Sequence, residues 1–161
     1  MLVTGKIKPN RYSCGHTKLD VTVYFAENIK EKKKKVNGEQ VVSYEYDRYE
    51  TSIRYRPDYK KYIEDNYNML LERAKEEDRI ALSKELREKR NKLLAESDCH
   101  MALDRLNLEV PDGNTFAIWK PFLKSLGDAL TGDWAKYRQA LRDLPNQEGF
   151  PYNVEFPKKP E

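Results

Sequence analysis

From Lys18 to Phe25 the chain alternates, with Leu19, Val21, Val23 and Phe25 on one side and Lys18, Asp20, Thr22 and Tyr24 on the other. That period of two is the signature of a strand with one buried face. A second strand is expected through Val41, Val42, Tyr44 and Tyr46, and Asn37-Gly38 between the two suits a type I′ turn, so a β-hairpin is predicted. Lys30 and Lys32 to Lys35 lead into that turn and give the hairpin a basic tip, which also discourages edge-to-edge sheet association. A third strand from Tyr49 to Tyr55 and a short one at Leu2 to Ile7 complete a small antiparallel sheet.

The period changes after Pro57, a residue that suits the first turn of a helix. From Asp58 to about Ala95 there is no Gly or Pro. Tyr59, Ile63, Tyr67, Leu70 and Ala74 recur at helical spacing, as do Leu82, Leu86, Leu93 and Leu94, and Lys75 to Arg79 between the two stripes is wholly charged. One long helix is expected, its N-terminal end packed on the sheet. Its middle is laced by pairs such as Glu85 with Lys89, and either stands free or associates as a short coiled coil.

Beyond Ser97-Asp98 the elements shorten. Pro111-Asp112-Gly113 reads as a turn, and Asn114 or Thr115 as the cap of a helix whose apolar side is Phe116, Trp119, Phe122, Leu123 and Leu126, kinked at Pro121. Thr131-Gly132-Asp133 caps another, with Trp134, Tyr137, Ala140, Leu141 and Leu144 on one face, ended by Pro145. The tail from Asn146 to Glu161 holds Pro151, Pro157 and Pro160 with Phe150, Tyr152 and Phe156, too proline-rich for regular structure but aromatic enough to lie in a groove.

Composition narrows the function classes. The 161 residues are one domain's worth of material, and 35% charged against 39% hydrophobic residues leaves a modest core. The 30 basic and 27 acidic side chains nearly cancel to +3, which argues against a dedicated polyanion binder and for protein partners. The first residues lack the apolar run of a signal peptide, and no stretch approaches the roughly 20 apolar residues that span a bilayer, so no membrane role is expected. Two widely separated cysteines fit a reducing compartment.

Candidate chemistry is sparse. Cys14, His16, Cys99 and His100 total the four ligands of a zinc site, but Cys-x-His and an adjacent Cys-His pair lack the gaps that turn neighbouring ligands toward one ion. The alternative is a small buried thiol at Cys99 and ordinary surface histidines. No metal, cofactor or catalytic residue is assigned, and the seven glycines never cluster as a phosphate-binding loop. The lysines of the hairpin, with Tyr44, Tyr46, Tyr49 and Tyr55 beside Arg48, Arg54 and Arg56, have the composition of a single-strand binder. Glu45, Asp47, Glu50 and Asp58 in the same stretch would repel phosphates, and tyrosines on strands serve cross-strand packing or protein interfaces.

The C-terminal end carries a recognisable pattern. Arg90-Asn91-Lys92-Leu93-Leu94-Ala95-Glu96-Ser97-Asp98, then Trp134 with Tyr137-Arg138-Gln139-Ala140-Leu141-Arg142-Asp143-Leu144-Pro145, then Gly149-Phe150-Pro151 and Phe156-Pro157, resembles bacteriophage tail assembly chaperone and tail fibre assembly proteins. The resemblance covers about Arg90 to Pro157. Cys99 and Phe156 stand where that family usually has tryptophan, and the stretch from His100 to Gly132 is longer than its usual spacer. It implies a non-enzymatic factor of the host cytoplasm or the virion tail, encoded by a phage or prophage, that binds tail or tail fibre polypeptides. The partner-binding residues it suggests are Trp134, Tyr137, Arg138, Leu141, Arg142 and Phe150, the two arginines pairing with partner carboxylates. The alternative for the aromatic face is a local core against Trp119 and Phe122.

The expected fold class is therefore α+β: an antiparallel region over 1–56, a long charged helix over 57–97, and a helical hairpin with an extended tail over 98–161. The leading function is a tail assembly factor. The alternatives are a structural tail or baseplate protein that oligomerises through the long helix, and a phage-encoded inhibitor of a host enzyme or defence protein.

Overall fold

The computed structural model describes residues 2–36, 39–101 and 110–160. The chain forms two compact units, Met1–Ala81 and Leu82–Glu161, so the boundary falls within the longest helix. The fold is α+β, as the sequence implies.

The N-terminal unit is a four-stranded antiparallel sheet covered on one face by helix. Its strands are β1 (Leu2–Gly5), β2 (Tyr12–His16), β3 (Asp20–Val36) and β4 (Glu39–Arg54), in the spatial order β1-β4-β3-β2. β3 and β4 pair from Asp20 opposite Arg54 to Val36 opposite Glu39. The register shifts between Glu27 and Lys30, where Asn28 has a φ of 52° and its side chain donates to Asp47 Oδ2 at 2.7 Å. Asparagine tolerates that left-handed conformation, and the extra residue bends the strand.

Three expectations are corrected here. The two strands foreseen at Val41–Tyr46 and Tyr49–Tyr55 are one continuous strand. Leu19 precedes β3 and is 74% exposed, whereas Val21, Val23 and Phe25 are buried as the alternation requires. β2 escaped detection because five residues that include Gly15 and His16 carry little strand propensity; its place comes from pairing with β3, Tyr12 opposite Phe25 and His16 opposite Val21. The Asn37-Gly38 turn lies outside the described residues.

The helical layer is α1 (Tyr59–Asp65) and α2 (Tyr67–Asp98). The single helix expected from Asp58 is thus interrupted at Asn66. Both the backbone and side-chain nitrogens of Asn66 donate to the Tyr62 carbonyl, at 3.0 and 2.9 Å, the local competition with helical geometry that asparagine is prone to. Ile63, Leu70, Leu71 and Ala74 bury against Val21, Val23, Phe25 and Ile53. Tyr67 meets the Phe25 ring edge-on at 5.3 Å, and burial pushes its hydroxyl above the usual tyrosine value. Lys75 binds Glu27 at 2.8 Å and Glu72 at 3.1 Å, and the hydrogen bond to Glu27 holds its ammonium above the usual lysine range. That stabilisation is complete below the value of a free lysine and is lost as pH rises through the elevated one.

The C-terminal unit contains the second part of α2, then α3 (Phe116–Thr131), α4 (Asp133–Asp143) and a short 3-10 turn at Leu144–Asn146. Pro121 sits inside α3, within its first two turns. Tyr137, Leu141 and Leu144 form the core, with Leu93, Leu94, Trp134, Phe150, Val154 and Phe156 packed around them. The tail therefore lies on its own unit. Gln147 clamps it, donating to the Glu155 carbonyl at 2.9 Å and accepting from the Glu155 N–H at 3.0 Å. Gly149, at a φ of 84°, makes the turn that this return path requires. Within α2, the side-chain pairs include Arg73 with Glu77, Arg79 with Glu76 and Lys84 with Glu88, while Lys89, expected beside Glu85, lies 4.4 Å over the Phe156 ring.

Candidate binding groove of the C-terminal unit

The six residues singled out at the C-terminal end divide into interior and surface. Tyr137 and Leu141 are 5% and 0% exposed and belong to the core. The face they occupy packs on Leu93, Leu94 and the tail, so the local core foreseen for it exists with different partners from Trp119 and Phe122. Those two meet each other edge-on at 5.6 Å, and the Trp119 indole N–H donates to the Gly113 carbonyl at 2.7 Å.

Arg138 points inward as well. Its Nη1 reaches the Leu94 carbonyl at 2.9 Å, Ser97 Oγ at 2.5 Å and Asp98 Oδ1 at 2.7 Å. The last carbonyls of a helix have no partner within it, and one guanidinium here supplies a donor to the final turn of α2. Ser97 is fully enclosed and itself donates to the Leu94 carbonyl at 2.7 Å. Replacing Arg138 by methionine keeps the length of the stem and deletes these bonds, so we expect a loss of about 2–3 kcal/mol. Chemical denaturation of the two proteins checks this, and a change below about 0.5 kcal/mol would refute the capping role.

Arg142 is exposed, and Phe150 is half-buried beneath Arg87, whose guanidinium carbon is 6.0 Å from the ring centre. Trp134 lies between core and surface. Its ring stacks face to face on His100 at 3.7 Å, with an angle of 7° between planes, and meets Tyr137 edge-on at 5.8 Å. Cys99 is exposed, which corrects the expectation of a buried thiol, while Cys14 is half-buried against the sheet core. His16 sits beside Tyr55 and Tyr59. Among the described residues, no group of three His, Cys, Asp or Glu side chains is placed to hold a metal ion.

Between α4 and the end of the tail runs an open groove of about 760 Å³. Trp134, Tyr137 and Ala140 form its apolar wall, and Pro157 and Pro160 its opposite side. Lys136, Lys158 and Lys159 rim it with Asp133, Lys136 pairing with Asp133 at 3.6 Å and Lys159 reaching 5.9 Å from the Trp134 ring centre. An aromatic wall under a mainly cationic rim has the chemistry to hold a chain segment with apolar and acidic side chains. The lysines were not singled out in the sequence, because only the return of the tail brings Lys158 and Lys159 to α4. Phe116, Ile118 and Leu123 of α3 are 75%, 45% and 49% exposed, an unusual share of apolar surface for one helix.

No helix among the described residues is long and apolar enough to cross a membrane. No curated protein and no solved structure matches the chain. Residues 83–161 match the family described as phage tail assembly chaperone protein, a span that coincides almost residue for residue with the compact unit Leu82–Glu161. The match takes in the whole of the pattern from Arg90 to Pro157, so the C-terminal unit is similar to phage tail assembly chaperone proteins, the resemblance that pattern carries.

Proposed function

We propose that the protein is a phage tail assembly factor that holds tail polypeptides by noncovalent contacts in the host cytoplasm, through the groove of its C-terminal unit. The coincidence of the family match with a unit that has its own core carries this reading: the matched segment is a whole folded body, with its own surface to offer. Trp134 supplies the apolar contact, and Lys136, Lys158 and Lys159 attract acidic side chains, while Arg142 is exposed on α4 outside the groove's lining. Tyr137, Leu141 and Arg138 support that surface from within. Phe150 anchors the tail that forms its far side. Binding and release of unassembled tail chains requires no covalent step.

Reversing both tail charges, Lys158→Glu with Lys159→Glu, should leave the fold intact, because both side chains are exposed. Co-expressed with the tail subunits of the same phage, that variant is expected to recover about tenfold less soluble tail protein than the wild type, the effect of losing two attractive contacts and gaining repulsion. Equal solubility and equal tail assembly with the variant, or with no copy of this chain at all, would overturn the proposal. Finding the protein in purified particles at fixed stoichiometry would instead identify a structural component.

A further inference from the structure

The N-terminal unit carries a charged feature that its own packing does not account for. β2 pairs with β3 only as far as Phe25, and β1 with β4 only from Asp47 to Tyr44. Beyond them β3 and β4 continue as a two-stranded ribbon, Lys32–Val36 beside Glu39–Ser43, with no third strand among the described residues. None of its described side chains belongs to a core. A ribbon of two strands is marginal in water, so apolar burial gives no reason for this length.

The arm is one-sided in charge. Lys30–Ser43 holds five lysines and two glutamates, so the whole +3 of the chain resides in it and the remaining residues balance. Lys30, Lys32 and Lys34 share one face of β3, spaced about 7 Å apart, opposite Glu45, Ser43 and Val41. Glu45 binds Lys32, and Glu31 binds Lys33 on the other face at 3.0 Å, while Lys30 and Lys34 make no ion pair among the described residues. The carboxylates expected to repel phosphates are engaged at the base of the arm or below it. Glu45 is held by Lys32, Asp47 by the Asn28 side chain at 2.7 Å, Glu50 by Arg48 at 3.3 Å and Asp58 by Arg56 at 2.6 Å.

We propose that this arm is a nucleic-acid contact: it lies against the sugar–phosphate backbone of double-stranded DNA, where Lys30, Lys32 and Lys34 neutralise phosphates without reading sequence. A two-stranded ribbon fits the major groove, roughly 12 Å wide. Protein interfaces draw their affinity from aromatic and arginine anchors and are poor in lysine, and Lys30–Ser43 contains no aromatic residue and no arginine. Charge is what the arm offers, and charge without anchors is the chemistry of backbone contacts. The exposed pair of Lys32 with Glu45 opens at little cost to release the third lysine. This activity goes beyond the tail assembly reading and does not rest on it.

The test uses the full chain and a fluorescein-labelled DNA duplex of about 20 base pairs and arbitrary sequence, followed by anisotropy at about 50 and about 200 mM salt. Saturable binding is expected at the lower salt. Release of counterions from about three phosphates should make the affinity fall about 40-fold between the two conditions. Lys30→Gln with Lys34→Gln, both exposed, should weaken binding at least about tenfold at the lower salt and leave a salt dependence of only about fourfold. Lys84→Gln with Lys92→Gln removes the same charge from exposed positions of α2 and should leave binding within about twofold. No binding at about 100 μM protein and the lower salt, equal weakening by the two double variants, or tighter binding of a polyglutamate chain of equal charge would each overturn the proposal, the last by assigning the arm to an acidic polypeptide. The arm belongs to the N-terminal unit and the family match to the other, so failure here leaves the tail assembly reading untouched, and failure of that reading leaves this one.

Discussion

Truncating Leu141 to alanine should destabilise the C-terminal unit by about 2–5 kcal/mol, enough to open it in a substantial fraction of molecules. Leu141 is completely buried between Tyr137 and Leu144, and the cluster around it draws on three stretches of chain: Leu93 and Leu94 of α2, Trp134 of α4, and Phe150, Val154 and Phe156 of the tail. Among the described residues of this unit few are enclosed so fully, so little surrounding mass exists to collapse into the space left behind. Hydrogen exchange read at the amides of α4 should show protection falling by a factor of at least about 30. Arg142→Ala, next in sequence but exposed, should change stability by less than about 0.5 kcal/mol. If both variants leave α4 equally protected, the core has been misplaced. A tail assembly defect in Leu141→Ala that follows this loss of protection would come from the scaffold rather than from a lost contact with the partner.

Phe25→Ala is the corresponding change in the N-terminal unit, with an expected cost of about 3–5 kcal/mol. Phe25 is 1% exposed, meets Tyr67 edge-on, and stands in the middle of the sheet opposite Tyr12 on one side and Tyr49 on the other. Its loss removes the largest fully buried side chain from the layer between sheet and helix. Leu19→Ala is the informative control. Leu19 shares the sequence alternation of Phe25 but lies outside β3 and mostly in water, so its truncation should cost less than about 0.5 kcal/mol. Urea denaturation of the pair separates them; similar midpoints would mean that the alternation, extended back to Leu19, describes the buried face better than the structure does.

This pair shows what a hydrophobic pattern can convey. Alternation through Val21, Val23 and Phe25 was sufficient to place a strand with one buried face, because each side chain's direction follows from its position in the strand. It was insufficient to end that strand, since Leu19 continues the pattern and the boundary depends on where pairing with Arg54 stops. The same holds for the helices. Spacing placed Ile63, Leu70 and Ala74 on one face, yet the helix is interrupted at Asn66, whose φ of −117° leaves the helical region while its side chain shares the Tyr62 carbonyl with its own N–H. β2 was invisible for the complementary reason: its strand character comes from its neighbour β3.

The candidate groove was legible in part. The aromatic face of α4 and the pattern from Arg90 to Pro157 marked the right region, and Trp134 is at its surface. Arg138 was expected to reach outward to a partner and instead binds the end of α2, more than forty residues away in the chain. Nothing in local spacing distinguishes Arg138 from Arg142, one turn later on the same helix. Their difference is the Leu94 carbonyl, the Ser97 hydroxyl and the Asp98 carboxylate within reach of the first and the exposed position of the second.

Periodicity and residues close together in the chain were enough for the class of fold, the buried faces of the main strand and helices, and the likeness of the C-terminal unit to phage tail assembly chaperone proteins. Tertiary structure alone decided which surfaces remained. The tail turns at Gly149 and lies on α4, bringing two lysines to Trp134, and β1 pairs with β4 only from Tyr44 to Asp47, leaving Arg48 to Arg54 with no strand on that side among the described residues. Both outcomes arise from contacts between segments far apart in sequence, where the pattern of each states that a face is to be buried but not what will cover it.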